Sequence, residues 1–163
     1  MPYRAYIITA SDSGVAGQRE DLSGPAAQAL LEEAGYAIAG YVMLPDDRDT
    51  LAGKMREICD NDAADLLVTT GGTGFSPRDW TPEATADVMD RACPGIPEAM
   101  RYYSLQITPR AMLSRAAAGI RKGTLIVNLP GSPKAVKECL EYILPSLAHG
   151  LEILRGDAGN CAR

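Results

Sequence analysis

Hydrophobic and polar positions form two kinds of segment that alternate along the chain. Short apolar runs rich in branched side chains predict buried strands. Four such runs are present: Arg4–Ala10, Tyr36–Leu44, Asp65–Thr70 and Thr124–Leu129. Between them, apolar residues recur at helical spacing, as Leu51, Met55 and Ile58 do. The pattern therefore predicts strands that alternate with helices.

Turn and cap residues set the limits of the predicted helices. Ser23 is expected to cap the first helix, and Thr81 to cap a later one whose first residue is Pro82. Pro145 is expected to break or kink the last helix before a final helical stretch to Leu154. The predicted helices are Ser23–Ala34, Asp49 or Thr50 to about Asp60, Thr81 to about Ala92, Pro97–Ile107, Pro109–Ala118 and Pro133–Leu144, and Ser11–Leu22 is predicted to be a loop.

Strands joined by helices imply parallel pairing and right-handed crossovers, which indicates a three-layer α/β fold. The length of 163 residues fits a single domain, 1–163, with a frayed tail from about residue 156. Ligands bind beyond the carboxyl ends of the strands in such folds. The loops at that edge carry small or acidic residues: Ser11–Gly14, Pro45–Asp47, Gly71–Gly74 and Pro130–Ser132. We therefore expect these loops to form one ligand-binding rim.

Composition narrows the classes of function. The chain has 16 Lys and Arg against 21 Asp and Glu, a net charge of −5 without a basic run, which disfavours a nucleic-acid binder. Its four cysteines form no CxxC pair and there is one histidine, so a structural zinc site is not expected. Irregularly spaced cysteines and the lack of a membrane-length apolar run favour a cytoplasmic protein. Its chemistry must then use carboxylates, hydroxyls, backbone amides or a bound metal ion.

The segment TTGGTGFSPRDWTPEAT combines features that suit a phosphate. A strand leads here into a loop of three glycines and a threonine: Gly71, Gly72, Thr73 and Gly74. Glycines let backbone N–H groups approach a ligand closely, and Arg78 and the helix start at Pro82 add positive potential. The loop has neither the GxxxxGKS/T nor the GxGxxG pattern. The alternative is a glycine-rich turn that binds no ligand.

Two acidic residues are expected on the same rim. Asp46 follows Pro45 at a strand end, and Asp79 lies two residues before Thr81. Taken separately, Asp46 could be a turn residue and Asp79 a charge at a helix N-terminus. Two carboxylates beside a phosphate site are, however, a usual arrangement for Mg²⁺, which takes few protein ligands.

A second rim loop repeats the combination of strand end, small residues and helix start: Pro130, Gly131, Ser132 and, in the first helical turn, Lys134. Lys134 could pair with a phosphate or could be a solvated residue. A lysine in the first helical turn opposes the helix dipole, which favours the functional interpretation. Ser114 has no special status from spacing alone, and His149 is expected on the surface or in packing.

Together these segments resemble the molybdenum cofactor biosynthesis family, which includes molybdopterin adenylyltransferases of the MogA type, MoaB-type proteins and gephyrin-like G domains. The resemblance rests on TTGGTGFSPRDWTPEAT, on NLPGSPKAV, on LSRAAAGIRKG, and on Ser11 and Asp12 followed by Gly17 and Asp21–Pro25. It extends from about Tyr6 to Leu154. It implies a three-layer α/β/α domain around a mostly parallel sheet, usually a homotrimer.

The resemblance also implies an activity, the Mg²⁺-dependent adenylylation of molybdopterin by ATP, which gives adenylyl-molybdopterin and pyrophosphate. It implies transfer of the product to a molybdenum-insertion partner, whereas the composition already indicates that neither a membrane nor a nucleic acid is a partner. Asp46 and Asp79 match the acidic positions associated with catalysis and are expected to hold Mg²⁺. Ser114 matches a serine tied to the pterin. The glycine loop, Pro130–Ser132 and the motif residues Ser11, Asp12 and Arg78 match ligand-binding positions.

The main alternative is a MoaB-like or gephyrin-like domain that binds molybdopterin without turnover. MoaB-type sequences typically lose the run Pro77–Asp79 that this chain retains, which favours the adenylating type. One departure from the family is Trp80, where a small aliphatic residue is more usual. Its ring is expected to pack beside the site or to contact a ligand. A different α/β nucleotide enzyme is disfavoured because its phosphate-binding motifs are missing.

Overall fold

The computed structural model describes residues 1–157 and 159, and contains one six-stranded sheet. Its strands are β1 (Arg4–Ala10), β2 (Ala37–Leu44), β3 (Leu66–Thr70), β4 (Arg91–Ala92), β5 (Ala118–Arg121) and β6 (Thr124–Leu129). The four strands predicted from apolar runs are confirmed, two of them beginning one residue later than predicted.

Six α-helices and one 3₁₀ turn connect the strands within the described residues. The helices are α1 (Asp12–Val15), α2 (Ser23–Glu33), α3 (Arg48–Asp60), α4 (Thr81–Val88), α5 (Gly95–Leu105) and α6 (Pro133–Arg155), and the 3₁₀ turn is Pro109–Leu113. The short helix α1 lies in the segment predicted to be a loop.

The strand order β2-β1-β3-β6-β5-β4 gives a mixed sheet. The first four strands pair in parallel, whereas β5 pairs antiparallel with β6, and β4 pairs antiparallel with β5. One core joins β1, β3 and β6 to α2, α5 and α6, and a second core joins the opposite sheet face to α3 and α4. The predicted three-layer α/β fold around a mostly parallel sheet is therefore confirmed.

The predicted helix Pro109–Ala118 is wrong beyond its first turn. The 3₁₀ turn ends at Leu113, and Ala118–Arg121 form β5 against β6. Ala116 and Ala118 are both buried, whereas Ala117 is only partly so, a spacing of two that suits extended backbone. The Asn128 side chain also accepts a hydrogen bond from the Ala117 N–H at 3.1 Å. Pairing with β6 therefore overrides the helix propensity of the alanines.

Three predicted helix limits also need correction. Helix α4 ends at Val88 because Arg91–Ala92 pair with β5. Ser23 and Thr81 are first helical residues and not caps, since no side chain caps α2 or α4 from the residue before the helix. The Asp21 carboxylate instead accepts the Ser23 and Gly24 N–H groups, each at 3.0 Å.

Helix α6 continues through Pro145, so the predicted break is wrong. Its buried residues lie on both sides of the proline and include Leu144, Leu147 and Leu151. This continuous apolar stripe packs on the sheet and compensates for the hydrogen bond that proline cannot donate. The helix ends at Gly156 with a left-handed φ of 77°. The predicted frayed tail falls largely on residues 158 and 160–163, which lie outside the described residues. Among the described helices, none combines the length and apolar character of a membrane span.

Candidate active site

The carboxyl ends of the parallel strands enclose an open cleft of about 570 Å³. It lies where the sheet order switches direction, because β1 has β2 on one side and β3 on the other. The lining is formed by residues 9–14, 19–23, 46, 70–72, 76, 78, 79 and 131–133. Nine of the predicted site residues are among them: Ser11, Asp12, Asp46, Gly71, Gly72, Arg78, Asp79, Gly131 and Ser132.

Two positions of the glycine loop Gly71–Gly74 require glycine. Gly71 and Gly72 have φ values of 85° and 71°, in the left-handed region that favours glycine. A Cβ atom on Gly71 would stand 2.5 Å from the Ala10 carbonyl oxygen, and one on Gly72 would stand 2.2 Å from Thr81 Oγ1. The backbone here therefore packs directly against the end of β1 and the start of α4.

The glycine loop is held through its carbonyl groups. The Gly72 carbonyl accepts from the Thr81 N–H at 3.2 Å, and the Thr73 carbonyl accepts from the Arg115 N–H at 2.8 Å. The Gly74 carbonyl accepts from Arg115 Nε at 2.7 Å. Within the described part of the chain, the backbone N–H groups of residues 73–75 donate no hydrogen bond. The loop therefore retains donors of the kind that bind anions.

Asp12 links the loop after β1 to Asp46 and Arg78. The Asp12 N–H donates to Asp46 Oδ2, and the Asp46 N–H donates to Asp12 Oδ1, both at 2.9 Å. Arg78 donates to both Asp12 carboxylate oxygens, at 2.9 and 3.1 Å. The hydrogen-bonded ion pair accordingly lowers the pKa of Asp12 and raises that of Arg78. Both residues lie at the cleft as expected, but each is the other's ion-pair partner.

Asp46 combines burial with an unused oxygen. Its Oδ1 is buried and has no hydrogen-bond partner within the described residues. Burial raises the pKa of Asp46, and the nearby charges of Asp12 and Asp79 add to that increase, against a hydrogen bond from the Asp12 backbone. A buried carboxylate oxygen without a partner is costly unless a cation or proton meets it. The arrangement therefore fits a bound cation.

Asp79 supplies a second carboxylate to the cleft. Its Oδ2 accepts a hydrogen bond from the Ser76 N–H at 3.1 Å, which fixes the turn between the glycine loop and α4. Among the described residues, no group of three or more His, Cys, Asp or Glu side chains could hold a metal ion. Two carboxylates with substrate phosphates suit Mg²⁺, which retains several water ligands.

Two helix N-termini also reach the cleft. Ser132 caps α6, its Oγ accepting from the Ala135 N–H at 3.2 Å, and Ser132 lines the cleft. Ser11 caps the short helix α1 in the same way, through the Gly14 N–H at 3.0 Å. Because α6 has 23 residues, its positive end adds favourable potential for an anion at Ser132.

The remaining predicted site residues lie outside the cleft lining. Ser114 and Pro130 line a second, largely apolar cavity of about 230 Å³ between α5, the 3₁₀ turn and α6. Lys134 has an 83% exposed side chain, and its Nζ lies 3.9 Å from Glu138 Oε1. Thr73 is buried, and Gly74 faces Arg115 through its carbonyl. The structure therefore separates Ser114 and Lys134 from the carboxylates with which the sequence grouped them.

Asp21 is one of the cleft residues that were not predicted as site residues, although its segment was quoted as a motif. Asp21 lines the cleft and accepts hydrogen bonds from the hydroxyl groups of Thr9, at 2.9 Å, and Tyr41. Burial would raise the pKa of Asp21, but these bonds and those from the Ser23 and Gly24 N–H groups outweigh it, so the pKa is lowered. The spacing of an aspartate just before a helix start could have indicated the backbone contacts.

Comparisons with known proteins agree with this geometry. Residues 6–149 match the molybdenum cofactor biosynthesis family described as "Probable molybdopterin binding domain". A molybdopterin adenylyltransferase from Helicobacter pylori J99 is 43% identical over 155 residues, covering 93% of this chain and 87% of that protein. Gephyrin from Dictyostelium discoideum is 39% identical over 158 residues, covering 91% of this chain but 22% of its own length.

A solved structure supports the same relationship. The molybdopterin biosynthesis enzyme MoaB from Thermus thermophilus superposes with a TM-score of 0.89 at 44% identity, covering 94% of this chain and 97% of that one. The family match spans most of the chain and includes every strand end that forms the cleft. The chain therefore belongs to the molybdenum cofactor biosynthesis family, whose shared unit is described as a molybdopterin-binding domain.

Proposed function

We propose that this protein transfers the adenylyl group of ATP to molybdopterin and releases pyrophosphate. The observation that carries the proposal is the buried, unpartnered Oδ1 of Asp46 in the same cleft as Asp79 and the glycine loop. This cleft combines a place for a cation with donors for phosphates. Molybdopterin adenylyltransferase is also the name of a relative that is 43% identical over nearly the whole chain.

In the proposed reaction, a terminal phosphate oxygen of molybdopterin attacks the α-phosphorus of ATP. A new P–O bond forms as the bond to the bridging oxygen breaks, and pyrophosphate leaves with the electron pair. Such transfers depend mainly on position and charge neutralisation. The glycine-loop N–H groups and the α6 N-terminus at Ser132 supply donors for the phosphates.

Asp46 and Asp79 would hold Mg²⁺ in this cleft. When bound, the ion neutralises phosphate charge and orients the phosphate oxygens. Asp12 keeps Asp46 in place through two backbone hydrogen bonds, and Ser76 keeps Asp79 in place through one. Arg78 is 59% exposed, so it can offer its outward N–H groups to a phosphate while it stays paired with Asp12. Lys134 adds a positive charge near the start of α6.

The proposed place for the pterin is the apolar cavity beside Ser114. Its walls come from α5 and α6, which contribute both apolar and polar side chains, and from Pro130, which continues into the cleft through Gly131. A flat ring would bury apolar surface there, and the Ser114 hydroxyl would offer a hydrogen bond. This arrangement would place the pterin and the nucleotide on opposite sides of the Pro130–Ser132 turn.

The proposed assembly is a homotrimer that delivers its product to a molybdenum-insertion partner. Exposed apolar side chains on α5 and the segment after it offer a surface for other copies: Tyr102, Leu105, Ile107, Met112 and Leu113. Sedimentation equilibrium would give three times the chain mass of 17.3 kDa for a trimer.

The test is product formation from molybdopterin, ATP and Mg²⁺, followed by chromatography of the pterin and by release of pyrophosphate. Asp79→Asn should bind molybdopterin like the wild type but lower turnover by about 100-fold or more, because charge that acts on the transferring group is lost. Asp87→Asn is the matched control, since Asp87 lies on α4 and pairs with Arg48 outside the cleft lining.

The outcomes separate the alternatives. Binding of molybdopterin without any product would identify a MoaB-like or gephyrin-like binding domain. No binding of molybdopterin would favour a different α/β nucleotide enzyme. Wild-type turnover in Asp79→Asn would remove Asp79 from the mechanism.

A further inference from the structure

Arg115 does not line the cleft, but its side chain holds the backbone of two segments next to it. Its Nε donates to the Gly74 carbonyl at 2.7 Å, and its Nη2 donates to the Asp79 carbonyl at 2.8 Å. Its Nη1 donates to both carboxylate oxygens of Glu83, each at 2.8 Å. One guanidinium therefore connects the glycine loop, the Asp79 backbone and helix α4.

The backbone of Arg115 adds a further contact on the same side. Its N–H donates to the Thr73 carbonyl at 2.8 Å. The residues on either side of Arg115 are held by Arg101, whose Nη1 donates to the carbonyls of Ser114 and Ala116 at 3.3 and 3.0 Å. The turn at Ser114 and the glycine loop are thus connected through one residue.

The direction of these bonds sets where the N–H groups of the loop point. A trans peptide is planar, so its carbonyl and the following N–H point to opposite sides. With the Thr73 and Gly74 carbonyls held by Arg115, the N–H groups of Gly74 and Phe75 point away from it. Glycine backbone is otherwise free to rotate, so these bonds select one orientation.

We propose that Arg115 is a positioning residue for the transfer reaction. It acts through the glycine loop and the Asp79 backbone and contacts no substrate. Its expected effect on kcat rests on the proposed function, whereas its role in holding the glycine loop rests on the hydrogen bonds alone. A lysine keeps the charge but lacks the fork that reaches two carbonyls and a carboxylate together.

Arg115→Lys tests the inference, with Arg121→Lys as the matched control. Arg121 also binds a carboxylate with two nitrogens and a carbonyl with the third, at Asp60 and Val88, but it lies away from the cleft. We expect Arg115→Lys to lower kcat about tenfold or more and to change the KM for MgATP less than about threefold. Glu83→Gln, which weakens the anchor of the guanidinium, should lower kcat by a smaller factor. Arg121→Lys should leave both constants unchanged.

Hydrogen exchange supplies a readout that does not depend on catalysis. The N–H groups of Asp79 and Thr81 donate to the Ser76 and Gly72 carbonyls, and these bonds protect them. Arg115→Lys should speed exchange at both amides relative to Arg121→Lys. Equal exchange in the two variants overturns the inference, as does an unchanged kcat in an active enzyme. If the wild type forms no adenylylated product but exchange still differs, the proposed function fails and the positioning role stands.

Discussion

At the scale of single residues, Asp46 shows a conflict between stability and function. Burial and the neighbouring carboxylates raise its pKa, so the folded protein disfavours its charged form. The same charge is what a cation would need. Its Oδ1 has no hydrogen bond within the described residues, while its Oδ2 is held by the Asp12 N–H. A pKa shifted by burial and by neighbouring charges is typical of residues at functional sites.

Asp46→Asn should therefore stabilise the metal-free protein at pH 7 while it abolishes Mg²⁺-dependent transfer. A carboxyl with a raised folded pKa loses stabilising free energy as the pH rises from its unfolded value through its folded value. The stability gain of Asp46→Asn should accordingly grow with pH above about 4 and reach about 1 kcal/mol, or ~2–4 °C in Tm. Urea unfolding across this pH range measures it.

The control for this prediction is Asp47→Asn. Asp47 caps α3 by accepting the Thr50 N–H at 2.9 Å, and asparagine caps helices about as well as aspartate. That variant should leave stability and transfer nearly unchanged. A stability difference in Asp46→Asn that does not vary with pH would show that its charge is not the cause.

At the scale of elements, helix α6 shows how packing overrides a local signal. Pro145 cannot donate to the Glu141 carbonyl, yet the helix runs from Pro133 to Arg155. The N-terminus of this helix lies at the cleft through Ser132, and its buried stripe fixes it against the sheet. The long helix therefore positions one phosphate-binding turn of the proposed site.

Pro145→Ala should stabilise the protein by about 1–2 kcal/mol, because it restores the helical N–H at an exposed position. The greater freedom of the unfolded chain offsets part of this gain. Thermal or urea unfolding measures the gain in stability. The control is Ser146→Ala at the exposed neighbouring position, which changes helix propensity alone. A loss of stability would show that packing of the proline ring stabilises the protein by more than the missing hydrogen bond would.

At the scale of the whole molecule, the two ends of the sheet have different electrostatics. The cleft end holds Asp46 with a raised pKa beside Asp12 and Asp21 with lowered pKa values, whereas the opposite end holds carboxylates with lowered values. The guanidinium of Arg121, with help from Lys122, lowers the pKa of Asp60 to about 2. Asp65 is buried, which would raise its pKa, but Arg4 outweighs burial and lowers it.

Arg4→Met should cost about 1–3 kcal/mol at pH 7, because Asp65 would keep its burial but lose a main partner. Groups with lowered folded pKa values stabilise above their unfolded pKa, and that contribution is lost as the pH falls through the folded value. The cost of Arg4→Met should therefore shrink as the pH falls below about 4. Urea titrations at several pH values test this, and Lys137→Met on exposed α6 surface should show little effect at any pH. A cost that stays constant in acid would contradict the assignment.

A feature of the site could be predicted when it depends on residues that are close in the chain, and could not when it depends on contacts between distant residues. The rim position of Asp46, Asp79 and the glycine loop follows from strand ends, and strand ends follow from local apolar runs. The ion-pair partner of Arg78 does not follow from any local pattern, because Asp12 lies 66 residues away in the chain. The Arg115 bond to Gly74 spans 41 residues, and no local pattern indicates it.

The sequence by itself determined the four parallel strands, the three-layer fold and the loops that carry the proposed chemistry. These features depend on periodicity and turn residues, which act between neighbours in the chain. Only the tertiary structure decided that Ala118–Arg121 form a strand, that Ser114 faces a separate cavity and that Lys134 is exposed. The physical reason is that strand pairing and burial are contacts between distant segments, and their free energy exceeds the small local preferences of each residue.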